Sequence, residues 1–300
     1  MSAPFVLGLV QMAPEKTVTA SVEKAAARVA EAGRSGVNVV VLPELFATPY
    51  FCRNQNHDAF DLAEPIPGPT TRAMAAAAKA AGVVVVAPLF ERRGPGCFQN
   101  SLAVLGPEGD HLGVYRKMHI PHDPGFEEKF YFAPGDLGFK AFATPFGPIG
   151  TLICWDQWFP EAARATALQG ALVLCYPTAI GWHPSEKAEY GATQREAWIT
   201  VQRGHAIANG IYVAAVNRVG VEGGGPGYGE TLEFWGSSFI ADPSGRILAQ
   251  AGTAEETIVT AAIDPAVVET TRRHWPFLRD RRIDAYGGLC RLYGETEEKK

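Results

Sequence analysis

The chain lacks a basic excess. Lys and Arg number 27 against 32 Asp and Glu, a net charge of −5. Nothing in that balance favours nucleic acid or an anionic membrane as partner. Cysteine is sparse. Cys52, Cys97, Cys154, Cys175 and Cys290 are odd in number and none lie at CxxC spacing, which argues against a disulfide framework and a structural zinc site. No run of ~18 apolar residues is available to span a bilayer. The opening MSAPFVLGLVQMAPEKT has neither the basic start nor the cleavage site of a leader, so a reducing cytoplasm is the expected location. GxSxG, GxxxxGK followed by Ser or Thr, and GxGxxG after a strand are all missing. Serine hydrolase, P-loop and dinucleotide-binding readings therefore lack support. No internal repeat or low-complexity linker occurs, and the closing GETEEKK reads as a frayed tail.

Turn formers are plentiful instead, with 32 Gly and 22 Pro. They punctuate short apolar runs. Phe5–Gln11, Val37–Leu42 and Val83–Ala87 read as strands, the last two (VNVVVL and VVVVA) as strands buried on both faces. Further strands are expected at Ile149–Ile153, Ala171–Leu174, Ile211–Val216 and Ile258–Ile263. Hairpins are expected around GPEGD and DPSG. Ser21–Ala32, Thr70–Ala81, Phe159–Gln169 and Thr193–Ala208 read as helices, the first three closed by glycine. Strand–helix–strand units mixed with hairpins predict an α/β fold with two stacked mixed β-sheets and helices outside. Nothing marks a boundary, so residues 1–300 are expected to form one domain.

Chemistry in α/β folds sits at strand ends. Glu44 follows a buried strand in VVVLPELF, and its apolar company suits a general base. Lys117 ends a hairpin strand in VYRKMHIP, where a buried ammonium beside a carboxylate would hold a developing oxyanion. Cys154 ends a strand in GTLICWDQWFPE, just before a helix start. Backbone N–H groups there are expected to lower the thiol pKa and to supply an oxyanion hole. Each residue alone has a bland reading: a surface Glu, a solvated Lys, a small buried hydrophobe.

The three together, in this chain order, resemble the carbon–nitrogen hydrolase (nitrilase) superfamily. PELF, YRKMHIP and CWDQWFPEAAR carry the likeness, which runs on through PGDLGF, YPTAIG, QRGHAIAN, VNRVG and WGSSFI to FLRDRRIDAY. The resemblance implies a four-layer αββα sandwich and a Glu44–Lys117–Cys154 triad working without metal or other cofactor. It implies a second glutamate in EEKFYF that positions the lysine. The match is Glu128 rather than Glu127, because Glu128 directly precedes Lys129.

Relatives that cleave N-carbamoyl-D-amino acids carry two arginines three and four residues past the cysteine. Gln157 and Trp158 stand there in this chain, so a carboxylate clamp is missing. CWDQWFPEAAR is similar instead to the N-carbamoylputrescine amidase branch, whose substrate ends in a cationic amine. Trp155, Asp156, Gln157, Trp158, Trp182, Glu186 and Glu189 are the expected binding residues. The family also implies a homodimer or larger homo-oligomer. The apolar-then-basic stretch WPFLRDRRIDAY is expected to place an arm, about residues 270–300, on a neighbouring subunit.

Other readings stand beside this one. An N-carbamoyl amino acid amidohydrolase, an ω-amidase or aliphatic amidase, and a silent binding subunit share the expected fold. A Cys–His pair would use Cys154 or Cys175 with His205. His119, His122 and Asp123 have the wrong spacing for a zinc helix. Gly223–Gly229 is expected to be a mobile loop and is a candidate lid over the site.

Overall fold

The computed structural model describes residues 3–224 and 231–294. Its strands are β1 (Phe5–Gln11), β2 (Val39–Val41), β3 (Val84–Gly94), β4 (Cys97–Leu105), β5 (His111–Arg116), β6 (Ala141–Phe142), β7 (Ile149–Thr151), β8 (Val173–Pro177), β9 (Gly181–Trp182), β10 (Tyr212–Val216), β11 (Val219–Glu222), β12 (Leu232–Trp235), β13 (Phe239–Ala241), β14 (Ile247–Gln250) and β15 (Thr257–Ile263). Its helices are α1 (Val18–Arg34), α2 (Pro69–Ala81), α3 (Glu128–Tyr131), α4 (Pro160–Leu168), α5 (Lys187–Asn209) and α6 (Pro265–His274).

Among the described residues, one six-stranded sheet has the order β15-β1-β2-β3-β4-β5 and a second the order β14-β13-β10-β8-β7-β6. The central pairs β1–β2, β2–β3, β7–β8 and β8–β10 are parallel. The period-2 alternation of a strand explains the layering. Val39, Val41, Val84 and Val86 point at the second sheet and share a core with Val173, Val213 and Ala215. Their neighbours Val40, Val85 and Ala87 point the other way, against Ala25 and Val29 of α1 and Met74 and Ala78 of α2. Helices α4 and α5 cover the outer face of the second sheet. The result is the expected αββα arrangement.

Several boundaries differ from the sequence reading. Gly33 lies inside α1, where a Cβ would press on Ala81 of α2. Close packing, not helix termination, accounts for it. Helix α5 starts six residues before Thr193, at Lys187. Helix α6 was not expected, although Asp264 caps it at the Ala266 N–H and basic residues fill its last turn. A third sheet, β11-β12-β9, also escaped because β9 is two residues long. Most of the Gly223–Gly229 loop, and all but Gly294 of GETEEKK, lie outside the described residues.

The strands deliver their C-terminal ends to one place. Glu44 follows β2, Lys117 follows β5, and Cys154 follows β7. Gly135 locks the second of these: its N–H bonds the Lys117 carbonyl at 2.8 Å, and a Cβ would run into the Arg116 carbonyl oxygen. Gly135→Ala is therefore expected to destabilise the fold by about 1–3 kcal/mol, an overpacking cost. A denaturant melt reads it, and an unchanged midpoint would contradict the packing described.

Candidate active site

Lys117 has no exposed surface. Its Nζ lies 2.9 Å from Glu44 Oε1 and 2.6 Å from Glu128 Oε2, both carboxylates being fully buried. Burial alone would lower its pKa. The charges of Glu128 and Glu44 outweigh that and raise it well above the ordinary lysine value. Asn100 braces the pair, donating from Nδ2 to Glu44 Oε1 at 2.7 Å and accepting the Lys117 N–H on its carbonyl at 2.8 Å. Among the described residues Glu44 Oε2 is buried without a hydrogen-bond partner. It is the oxygen open to chemistry. Leu45, next in the chain, is held at φ 50°.

Glu128 opens α3, and its Oε1 accepts the Tyr50 hydroxyl at 2.7 Å. Desolvation raises its pKa to about 7, against the pull of Lys117 and with the push of Glu44. Tyr50 and Asn100 were not picked out from sequence. Each reaches the site across more than fifty residues, and no local pattern marks them.

Cys154 heads a 3₁₀ turn, Cys154–Trp158, that leads into α4 at Pro160, where the helix start was expected, and it sits at φ 46°. A non-glycine residue in this region carries a conformational cost of about 1–2 kcal/mol. The turn is held down by Asp156. Its Oδ2 accepts the Ile153 N–H at 2.9 Å and the Tyr115 hydroxyl at 2.7 Å, and its Oδ1 takes the His119 N–H at 3.0 Å and lies 2.7 Å from His119 Nδ1. Segments carrying the cysteine and the lysine are thus stapled together. The expected drop in thiol pKa does not occur. Burial, then the charges of Glu44 and Glu128, raise it well above the ordinary value, and Lys117 only partly opposes them. The resting cysteine is a thiol.

The site opens into a cavity of about 610 Å³. Trp155, Trp158 and Glu186 line it, as expected, and Asp123, His183 and Gln194 join them. The other expected binding residues lie elsewhere. Asp156 is consumed by the staple. Gln157 Oε1 accepts from Trp198 Nε1 at 2.7 Å and from the Thr178 hydroxyl at 3.2 Å. Trp182 is buried, with its Nε1 on the Gly191 carbonyl. Glu189 is exposed on the first turn of α5, away from the lining. The four residues after Cys154 read as one binding patch in sequence, but only Trp155 and Trp158 face the cavity, while Asp156 and Gln157 turn inward.

The competing readings also resolve. His205, its pKa lowered by burial, bonds the Gln157 carbonyl through Nε2 at 2.8 Å and is no partner for a thiol. Cys175 faces the core, its pKa pushed up to about 12 by burial. His119 engages Asp156, while His122 lies 3.4 Å from Glu127.

A family model for carbon–nitrogen hydrolases matches residues 6–273. The chain belongs to the carbon–nitrogen hydrolase family. It is 43% identical over 291 residues to an N-carbamoylputrescine amidase from Arabidopsis thaliana, covering 96% of each chain. It is 38% identical to a citrullinase from Francisella tularensis, covering 96% of this chain and 98% of that one. A carbon–nitrogen hydrolase structure from Helicobacter pylori superposes with a TM-score of 0.93 at 45% identity, over 97% of this chain and all of the other. The sequence resemblance is thereby confirmed, and the chain is an amidohydrolase that acts on carbon–nitrogen bonds.

Glu128 makes a pH signature. With its folded pKa raised to about 7 from an ordinary 4.5, the folded protein binds the extra proton between those values. Stability from this group is therefore lost as pH rises through that window. Melting temperatures of the protein and of Glu128→Gln, compared at pH 5 and pH 8, should show the wild type falling relative to the variant. A parallel pair of profiles would contradict the buried carboxyl.

Proposed function

We propose that the protein hydrolyses N-carbamoylputrescine or a closely similar N-carbamoyl amine to the amine, CO2 and ammonia. The observation that carries this is the lining of the cavity. Among the described residues it holds two carboxylates, Asp123 and Glu186, the aromatic faces of Trp155 and Trp158, and no Lys or Arg. Such a wall suits a cationic amine through charge pairing and cation–π contact. It offers no ammonium or guanidinium to a substrate carboxylate. Gln157, at a place where a clamp would stand, is locked to Trp198 and Thr178. The likeness to an N-carbamoylputrescine amidase points the same way.

In this reading the ureido carbon sits over Cys154. The sulfur attacks it while Glu44 Oε2 takes the thiol proton. The oxyanion is held by Lys117 Nζ and the Trp155 N–H. Glu44 returns the proton to the departing nitrogen, ammonia leaves, and a carbamoyl thioester remains on Cys154. Glu44 then deprotonates water, which attacks the thioester. The thiol re-forms, and the released carbamic acid loses CO2 to give the amine. Glu128 keeps Lys117 placed throughout.

The expected quaternary partner is a second copy of this chain. Beyond α6 the described segment exposes Trp275, Phe277, Ile283, Leu289 and Leu292, the last 91% accessible. Such a run of apolar side chains needs a cover. Truncation after His274 is expected to convert an oligomer to monomer by light scattering, and an unchanged mass would refute the arm.

A substrate panel scoring ammonia release tests the activity. N-carbamoylputrescine should be turned over, with kcat/KM at least about tenfold above that for citrulline or N-carbamoyl amino acids, whose carboxylates meet an uncompensated acidic wall. Cys154→Ala should abolish release and Cys175→Ala should not. Equal kcat/KM across the classes would overturn the substrate assignment.

A further inference from the structure

We infer that Arg218 and Glu222, outside the reacting cluster, are positioning residues that fix Tyr50 and, through it, Glu128. Arg218 lies between β10 and β11 and is fully buried. Its Nη2 donates to the Thr48 carbonyl at 2.6 Å and lies 3.0 Å from Glu222 Oε1. Glu222 Oε2 in turn accepts the Tyr50 N–H at 2.6 Å. The guanidinium stands over the Tyr50 and Phe234 rings, 5.9 and 5.3 Å from their centroids. Tyr50 packs edge-on against Phe234 at 5.7 Å.

The segment so held is the one that needs holding. Residues 45–50 run on from Glu44 in neither helix nor strand, starting at the left-handed Leu45. One charged pair from a different sheet fastens its carbonyl at Thr48 and its N–H at Tyr50. The far end of Tyr50 then reaches Glu128 Oε1, leaving Oε2 to Lys117. A rigid ring carries the constraint from the ion pair to the carboxylate. Among the described residues Arg218 Nε and Nη1 find no hydrogen-bond partner. An arginine buried at that cost is poorly explained by stability alone, since an apolar side chain of similar size is often as good or better.

The inference rests on Glu128 and Lys117 being working groups of the hydrolase, so Glu128→Gln belongs in the same series. Turnover of N-carbamoylputrescine by Tyr50→Phe, Arg218→Lys, Glu222→Gln and the double variants is the readout, with folding checked by circular dichroism. Each single variant should lower kcat about tenfold or more while KM stays within about twofold, because placement and not binding is lost. Tyr50→Phe combined with either other change should fall no further than the worse single, since all act through one contact. If Arg218→Lys does not fold, the near-isosteric Glu222→Gln with Tyr50→Phe supplies the same cycle. Folded Arg218→Lys and Glu222→Gln enzymes with wild-type kcat, or losses that multiply, would overturn the inference while an impaired Glu128→Gln leaves the catalytic cluster standing. Full activity in Glu128→Gln would instead remove the reading of the cluster itself.

Discussion

A lysine with no exposed surface sits between two buried carboxylates, and the rest of the site is arranged around it. Taking such charges out of water costs several kcal/mol per ion unless close partners and further hydrogen bonds compensate. Here Glu44 and Glu128 supply the charge, and Asn100 and Tyr50 supply the bonds. Removing one partner from a group of this kind costs about 3–5 kcal/mol, because the remaining charge is left buried and uncompensated. The end of β2, the end of β5 and the start of α3 therefore meet at one ammonium. Contacts that would hold the reaction geometry also hold the fold.

The same low-polarity surroundings govern the cysteine. Burial and two neighbouring carboxylates keep Cys154 protonated, so nucleophilicity is not stored in a resting thiolate. In the proposed mechanism it is generated when substrate arrives, by transfer of the proton to a base already in place. Among the described residues Glu44 has one oxygen tied to Lys117 and Asn100 and one without a hydrogen-bond partner, which is the arrangement the proposed transfer requires. The left-handed turn at Cys154 presents the sulfur at the cavity, and Asp156 beneath it holds that turn against its conformational preference.

Much of this was legible in the chain. VNVVVL and VVVVA announced doubly buried strands because parallel strands in a layered fold have no wet face. Glu44, Lys117 and Cys154 stand out because each follows an apolar run, whereas Glu128 is marked only by the family resemblance. Local pattern does not report which way a side chain turns, so Asp156 and Gln157 read as binding residues in sequence while their side chains bond internal partners. Nor does it report long-range partners. Tyr50, Asn100 and Arg218 matter through contacts made across large chain separations. The thiol shift runs opposite to the sequence expectation for a related reason: the backbone turn is visible in sequence, the depth of burial and the two facing carboxylates are not.

The central claim is that Cys154 carries the substrate's carbonyl covalently during turnover. Rapid acid quenching of the protein while it consumes N-carbamoylputrescine, followed by peptide mass mapping, tests it most directly. The expected result is a carbamoyl adduct on the peptide containing Cys154 that disappears when substrate is exhausted. Turnover with no adduct on any cysteine, or with the adduct on Cys175 or Cys52, would contradict the account.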